Sequence, residues 1–417
     1  MDYEGPTGGL PAASPEKVGI REILADRAIR LVIVVVFVVM LGFGIVFPIL
    51  PLYAQSFGVG LDAAGLLVSA FGVTRLLMDP FSGPVVERLG ERQSAALGVG
   101  IVGVSAVLTG LAPTFVLAVI FRGAGGIGSA LLFTSLTSYL LKIVPKDRMG
   151  RTLGLFYGAF NIGVIAGGPI GGEIAHLFGL ASPLFFYAGI LFVAGGLYLW
   201  LVPDPGAGVN RTESSDEPGP GIGALLRRRE FQAAIVLNFA YLWIIGAAYD
   251  TLLPLFGNNV LGMTTQAIGV VVGIALAGEL VVLYPTGWLM DRSGRRGVAV
   301  WSMLAMAVMT SVLGLAGSAV VFAVLALPLG FTSGVAGIPA GAMLADIAPG
   351  RSGTAVGIFR FAGDLGIAIG PLFAGFAADA FGFQWAFLLC AIPVALAAAL
   401  TAASPETLQK PSAQITA

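Results

Sequence analysis

Seven ionisable side chains lie deep inside stretches that are otherwise apolar: Arg75, Asp79, Arg122, Asp250, Glu279, Arg360 and Asp364. Within hydrocarbon each costs roughly 2.5–3.5 kcal/mol on insertion scales unless paired or hydrated, so each needs a partner or a task. Arg75–Asp79 and Arg360–Asp364 are both spaced i,i+4, and each pair can neutralise itself along one helix face. Asp250 stands at a depth comparable to Arg122, so it can either pair with that arginine or meet a substrate. Glu279 differs, because no basic residue lies within a turn of its own helix. A buried carboxyl without a cation is suited to taking a proton from one side and releasing it to the other. Glu173 and His176 fall nearer a helix end, where an interfacial polar role accounts for them. The chemistry on offer is proton binding and ion pairing. One cysteine, Cys390, and one histidine leave no disulfide framework, no zinc cluster and no Cys/His nucleophile, and hence no metal site.

The elements that hold these charges must be membrane helices. The chain is 57% hydrophobic and 11% charged over 417 residues, with a mean hydropathy of +0.93, whereas a soluble domain carries about 25% charge. Twelve apolar runs of spanning length occur at 28–55, 63–86, 94–112, 115–141, 152–176, 184–202, 232–256, 265–288, 298–317, 319–345, 354–378 and 385–402. The Pro, Gly, Ser and charge-rich stretch 204–231 reads as a linker. The division is therefore a tail over 1–27, a six-helix bundle over 28–203, the linker, a second bundle over 232–402 and a tail over 403–417. The first 27 residues are acidic in places and lack an apolar core, unlike a cleavable signal peptide. Of the 22 Lys and Arg, all but the three inside helices fall in the tails, the linker and alternate loops on one face; the other face has none. The positive-inside rule then puts both termini in the cytoplasm of a multi-pass plasma or inner membrane protein. A net charge of -1 argues against a nucleic-acid partner.

The two bundles repeat each other. Gly83, Glu87, Arg88, Gly90 and Arg92 recur 204 residues later as Gly287, Asp291, Arg292, Gly294 and Arg296; Gly163 and Gly179 recur 203 residues later as Gly366 and Gly382. Because six is even, the copies enter the membrane the same way round, as parallel repeats about an axis along the membrane normal. The stretch Gly287-Trp-Leu-Met-Asp291-Arg292-Ser-Gly294-Arg295-Arg296 resembles in full the G-x-L-x-D-R-x-G-R-R loop of the major facilitator superfamily. The first copy departs from it at Val85, Glu87 and Glu91. Leu41-Gly42 followed by Pro48-Ile-Leu-Pro51, Arg122-Gly-Ala-Gly125-Gly126-Ile-Gly128, and Gly168-Pro169-Ile-Gly171-Gly172 resemble patterns of its drug:proton antiporter branch, the last with Glu173 where a glycine is usual. The G-x-G-x-x-G at Gly123–Gly128 lies in an apolar helix and follows no strand, so it is not a dinucleotide loop. Its glycines suit close approach to a neighbouring helix or a substrate.

The resemblance implies an all-α integral membrane protein, twelve helices in two six-helix repeats, with helices 1, 4, 7 and 10 lining a cavity and 3, 6, 9 and 12 facing lipid. It implies alternating access powered by the proton gradient with no cofactor, by a monomer whose partners are the bilayer, protons and a small amphiphilic, drug-like substrate to be exported. Phe43, Phe47, Phe239, Trp243 and Tyr249 are candidates to line the cavity, with Asn161 a polar one; lipid or helix packing is their alternative. In such a fold helices 2 and 11 meet, and depth-matching pairs Arg75 with Asp364 and Asp79 with Arg360. Glu87, with Arg88 and Arg92, would latch onto the start of helix 11; Gly83, Gly287, Gly90 and Gly294 would allow close packing and a tight turn. Gly168, Pro169 and Gly172 would bend helix 5. An importer of sugar or another nutrient is the same-class alternative, and the scarcity of deep amides besides Asn161 and Asn238 weighs against it. An intramembrane enzyme lacks a nucleophile–base pair.

Overall fold

The computed structural model describes residues 20–202, 222–347 and 353–408. Twelve helices are long and apolar enough to cross a membrane: α1 Arg27–Val46, α2 Leu61–Leu89, α3 Glu91–Gly110, α4 Phe115–Ile143, α5 Arg151–Phe178, α6 Ser182–Leu201, α7 Arg229–Asn259, α8 Thr265–Ser293, α9 Arg295–Leu313, α10 Ala319–Ile347, α11 Ala355–Phe381 and α12 Phe383–Ala402. Among the described residues there is no β-strand. Linker residue Arg211, loop residue Arg351 and tail residues Lys17 and Lys410 lie outside the described residues.

Local chemistry sets the ends. Asp26 accepts from the amides of Ala28 and Ile29 at 2.8 and 3.2 Å and caps α1; Thr114, Thr264 and Ser318 cap α4, α8 and α10 in the same way. The tight turns into α3 and α9 use Gly90 and Gly294 at φ 83° and 96°, a region where a side chain is strained. Three spans are less regular than their hydropathy. The run 28–55 breaks after Val46, because Pro48 and Pro51 each remove a helical amide donor, and resumes as a short helix Leu50–Gln55. In α7 the middle, Ile245–Leu252, winds as a π-helix before Pro254, with Thr251 Oγ donating to the Gly246 carbonyl at 3.0 Å. In α10 the helix is interrupted at Ile338, just before Pro339.

Within the first bundle α1 packs on α5 and α6, and α4 sits between α2 and α3; within the second, α7 packs on α11 and α12, and α10 bridges α8 and α9. Two pairs, α2 with α11 and α5 with α8, make most of the contact between the bundles, and α7 adds smaller contacts with α2 and with the short helix Leu50–Gln55. Glycine decides how closely. An added Cβ at Gly172 would lie 2.5 Å from the Thr265 carbonyl, and one at Gly72 would lie 3.0 Å from Ala368 Cα. All such crossings fall in the half of the membrane away from the arginine-rich loops. At the other end Gly83, Gly287 and Gly357 have nothing within 4 Å. The bundles thus touch on the face poor in Lys and Arg and part towards the basic face. The close packing expected at Gly83 and Gly287 is absent for that reason, while Gly90 and Gly294 do make the turns.

Candidate functional site: a central aromatic cavity with one carboxyl

Between the bundles lies a cavity of about 170 Å³. Phe43 of α1 and Phe47 just after it, Phe160 and Asn161 of α5, Tyr241, Ile245 and Tyr249 of α7, Leu276, Glu279 and Leu283 of α8, and Ile367 of α11 contribute to its wall. Helices α4 and α10 do not reach it, so the lining expected from helices 1, 4, 7 and 10 is corrected: α5, α8 and α11 take that place. The glycines of α5 explain the substitution. Gly163, Gly167 and Gly171, one turn apart, lie against the backbone of α1, while Gly168 and Gly172 on the adjacent face lie against α8 around Gly269. Two small-residue stripes on one helix let α5 close one side of the cavity. The helix continues through Pro169, and its glycines make a packing seam between the bundles.

The expected aromatics divide. Phe43 and Phe47 line the cavity with their rings tilted against one another at 5.4 Å, and Tyr249 lines it too. Phe239 and Trp243 do not line the cavity. Trp243 Nε1 donates to the Cys390 carbonyl at 3.0 Å, and its ring lies 5.1 Å from Phe373 and 5.9 Å from Phe239, so both residues pack α7 onto α11 and α12. At 3.6 residues per turn Tyr241, Ile245 and Tyr249 share one face of α7 while Phe239 and Trp243 lie on the opposite one, so helical spacing alone separates them. Tyr249 bonds Ser333 of α10 through the hydroxyls at 2.7 Å.

Glu279 is the only charged residue in the wall, and the hydroxyl of Tyr241 donates to its carboxyl. Asn161 shares the cavity without taking that bond. Tyr241 was not singled out by the sequence; four positions from Ile245, just before the π-turn, it resembles any apolar-face tyrosine.

The remaining intramembrane charges form two groups outside the cavity. Arg75 of α2 reaches Asp364 of α11 at 3.8 Å and lies 5.3 Å over the Phe133 ring, a pairing across the bundles rather than within either helix. The second depth-matched pair does not form. Asp79 turns its carboxyl to that of Asp364 and is attracted most strongly by Arg75 of its own helix, while the exposed Arg360 acts on it more weakly, because α2 and α11 are already diverging at that depth. Arg122 and Asp250 are 3% and 2% exposed. They attract one another across the bundles but make no ion pair within 4.0 Å. Arg122 stacks 4.3 Å over Phe71 with Nε and Nη1 unbonded, and Asp250 Oδ1 is unbonded too. The glycines after Arg122 are packing contacts: Gly126 faces Phe71 and Thr74 of α2, and Gly128 faces Gly98 of α3.

At the basic face the two repeated loops differ. In the second, Arg295 bonds Asp291 at 2.7 Å and Asp346 at 3.3 Å. Glu406 accepts from the amides of Arg295 and Arg296 at 2.8 and 3.1 Å, and Arg296 donates to the Ser404 carbonyl at 3.2 Å. Arg292 stacks 4.0 Å over Trp288. In the first, Lys142 holds Glu91 at 2.6 Å and Arg92 donates to the Leu199 carbonyl; Arg88 is exposed, and Glu87 sits at the end of α2. The loop that leads into α11, which Glu87 was expected to face, lies outside the described residues.

The family model described as Major Facilitator Superfamily matches residues 32–278 and 261–416. Among characterised proteins, the chain is 24% identical over 265 residues to multidrug resistance protein 2 of Bacillus subtilis, covering 63% of this chain and 66% of that protein, just under two thirds. It is 24% identical over 346 residues to a quinolone resistance protein NorA of Staphylococcus aureus, covering 82% of this chain and 87% of the other. Among solved structures, a bacterial homologue of the human lysosomal transporter Spinster in an inward-facing, unoccupied conformation superposes with a TM-score of 0.77 at 14% identity, over 90% of this chain and 96% of that one. The human organic anion transporter MFSD10 superposes at 0.65 with 17% identity, over 90% and 99%. A sequence model that runs through both bundles thus agrees with a fold of two six-helix repeats meeting at a central cavity: the chain belongs to the major facilitator superfamily.

Proposed function

We propose that this transporter exports drug-like, amphiphilic molecules, with preference for those bearing a positive charge, in exchange for protons. The observation that carries the reading is the composition of the cavity wall. Aromatic and branched side chains from both bundles surround a single carboxyl, Glu279, with no Lys or Arg facing it. Apolar area favours an amphiphile, aromatic faces attract a cation, and Glu279 supplies the one formal charge. That carboxyl has a hydroxyl partner but no cation, so a proton and a cationic substrate can compete for it. The wall offers few groups for hydroxyl recognition, Asn161 and two tyrosines among them, which disfavours a sugar. Relatives named for multidrug and quinolone resistance support export.

Alternating access is the matching mechanism. With the basic loops cytoplasmic, the present arrangement is open to the cytoplasm and closed outside, and rocking of one bundle on the other would reverse it. The cavity is smaller than the ~300–1,000 Å³ usual for drug-sized sites, so a guest has to spread the bundles or occupy the gap on the basic side as well. Proteoliposomes with an imposed proton gradient test the reading: uphill movement of a lipophilic cation, lost in Glu279→Gln while binding persists, is expected. Gradient-driven uptake of a sugar instead, or unimpaired coupling in that variant, overturns it.

A further inference from the structure

The repeat that relates α2 to α8 also relates α4 to α10, again at an offset of 204 residues, and Thr114 and Ser318 cap the two helices at matching positions. One packing contact is shared. Gly126 lies against the Phe71 carbonyl, and its counterpart Gly330 lies against the carbonyl of Ala275, the counterpart of Phe71. Beyond that contact the copies part: Ala130 of α4 is matched by Gly334 of α10, and Phe133 by Gly337. Spaced i, i+4 and i+7, Gly330, Gly334 and Gly337 fall on one face of α10.

The two missing side chains make room beside Glu279. A Cβ at Gly334 would stand 2.5 Å from the backbone oxygen of Glu279 and 2.8 Å from its Cα, and one at Gly337 would stand 2.9 Å from Tyr241 Cζ, the ring carbon that bears the hydroxyl. In the first repeat a ring holds the matching place, since Phe133 lies 5.3 Å from the Arg75 guanidinium. In the second, α8 and Tyr241 of α7 meet against α10, and the hydroxyl donates to the Glu279 carboxyl. Helix α10 lines no part of the cavity, yet it backs the one carboxyl there. The polar side chains sharing the wall with Glu279 are Tyr241 and Tyr249 of α7 and Asn161 of α5, and the Tyr249 hydroxyl is bonded to Ser333. Helices α9 and α10 carry ionisable side chains only at their basic-face ends.

We propose that Tyr241 is a positioning residue for Glu279: seated on Gly337 of α10, its hydroxyl holds the carboxyl at the cavity wall and favours the ionised form that a cationic substrate meets. The inference rests on the exporter reading for what the carboxyl exchanges, and on the contacts of Gly334, Gly337 and Tyr241 for how it is held. A hydroxyl suits the task because it donates to a carboxylate without cancelling its charge. An arginine in the same place would neutralise the site and repel a cation.

Infrared titration of the full chain in proteoliposomes tests this, following the protonated-carboxyl band that Glu279→Gln removes. In Tyr241→Phe, which keeps the ring and loses only the hydroxyl, the midpoint of that band should lie about one pH unit higher, a roughly tenfold tighter hold on the proton, as for loss of one hydrogen bond to a charged group. Gly337→Ala, which displaces the ring, should move it the same way. Ser333→Ala, which takes a hydroxyl from Tyr249 instead, should leave it in place. Export of tetraphenylphosphonium driven by a proton gradient should persist in Tyr241→Phe, with its pH profile displaced in the same direction. An unmoved midpoint in Tyr241→Phe, an equal shift in Ser333→Ala, or a Glu279 band that titrates in neither protein overturns the positioning role whatever transport does. A displaced midpoint in a protein without proton-coupled export upholds that role and overturns the exporter reading instead.

Discussion

The two repeats share helices, turns and glycines, yet the position of Arg75 in α2 is that of Glu279 in α8, 204 residues on. Arg75 points across the bundle interface to Asp364, whereas Glu279 faces the cavity and Tyr241. The loops that follow diverge as well. The second, whose motif is complete, is tied down by the segment Ser404–Leu408, which supplies the carboxylate that caps α9. The first, whose motif is degenerate, has its own pairs at Glu91 and Arg92 and no such strap among the described residues. Duplication preserved the scaffold, and charge placement then gave one repeat the cavity carboxyl and the other the interface cation. A complete motif is here a rigid anchor, so its match to a family pattern says little about which loop moves.

Exchanging or removing these charges breaks or sharpens the contrast, and the largest effect belongs to the paired helix position. Glu279→Gln is expected to reduce gradient-driven transport to the level of empty vesicles with substrate binding retained. Arg75→Gln should instead lower stability by about 1–3 kcal/mol, since Asp364 loses its cation in a partly buried setting, and Arg75→Gln with Asp364→Asn should recover much of that. Denaturation and transport assays on the same preparations separate the two; loss of coupling in Arg75→Gln with normal stability would erase the distinction.

The glycine seams come next. Gly172→Ala should push α5 off α8, at about 1–3 kcal/mol against the closed face, and shift the balance towards the opposite opening, read as a longer distance between spin labels at Gln55 and Asn259. Gly83→Ala has no neighbour to strike in this arrangement. Any slowing of transport it causes would report a contact made only when the basic face closes.

For the loops, Glu406→Gln should cost about 0.5–2 kcal/mol, as for loss of a helix cap, with little change in transport rate, and Glu87→Gln the reverse. Partial burial would raise the Glu406 carboxyl, but the amides of Leu408, Arg295, Arg296 and Thr407 outweigh it and hold it below the usual range. Its folded value is thus the lower one. The stability it contributes is present above the unfolded carboxyl value, about 4.3, and is lost as pH falls through the folded value. The difference in melting temperature between wild type and Glu406→Gln should therefore shrink only in acid; a difference that persists there would remove Glu406 as the cap.

The smallest effect is expected at Gln55 and Asn259, repeat-related amides that bond reciprocally at 3.0 and 3.3 Å where the bundles meet on the face poor in Lys and Arg. Both bonds are solvent-exposed, so Gln55→Ala should shift the opening equilibrium by only about 0.5–1 kcal/mol. Cysteines at both positions, once cross-linked, should stop transport.

Much of the architecture could be read from the chain itself. Spanning helices, the basic face and the duplication are one-dimensional properties: hydropathy summed over about 20 residues, the sign of charge in alternate loops, and glycines recurring at a fixed offset. Glu279 stood out for the same reason, since its lack of a basic neighbour can be counted along its own helix. What the sequence did not determine was which way side chains face. Phe239 and Trp243 share a helix with Tyr249 but lie on its opposite face, and which of the two faces meets the cavity was settled by packing. Tyr241 became the partner of Glu279 only when α7 and α8 were brought together, and Asp79 turned to Asp364 rather than Arg360 because the bundles diverge at that depth. The tie between Glu406 and the loop before α9 joins residues more than a hundred positions apart. Hydrophobicity and charge bias add up along a chain, whereas helical phase, crossing distance and the capture of one loop by a distant segment depend on how helices pack, and only the tertiary structure decides that.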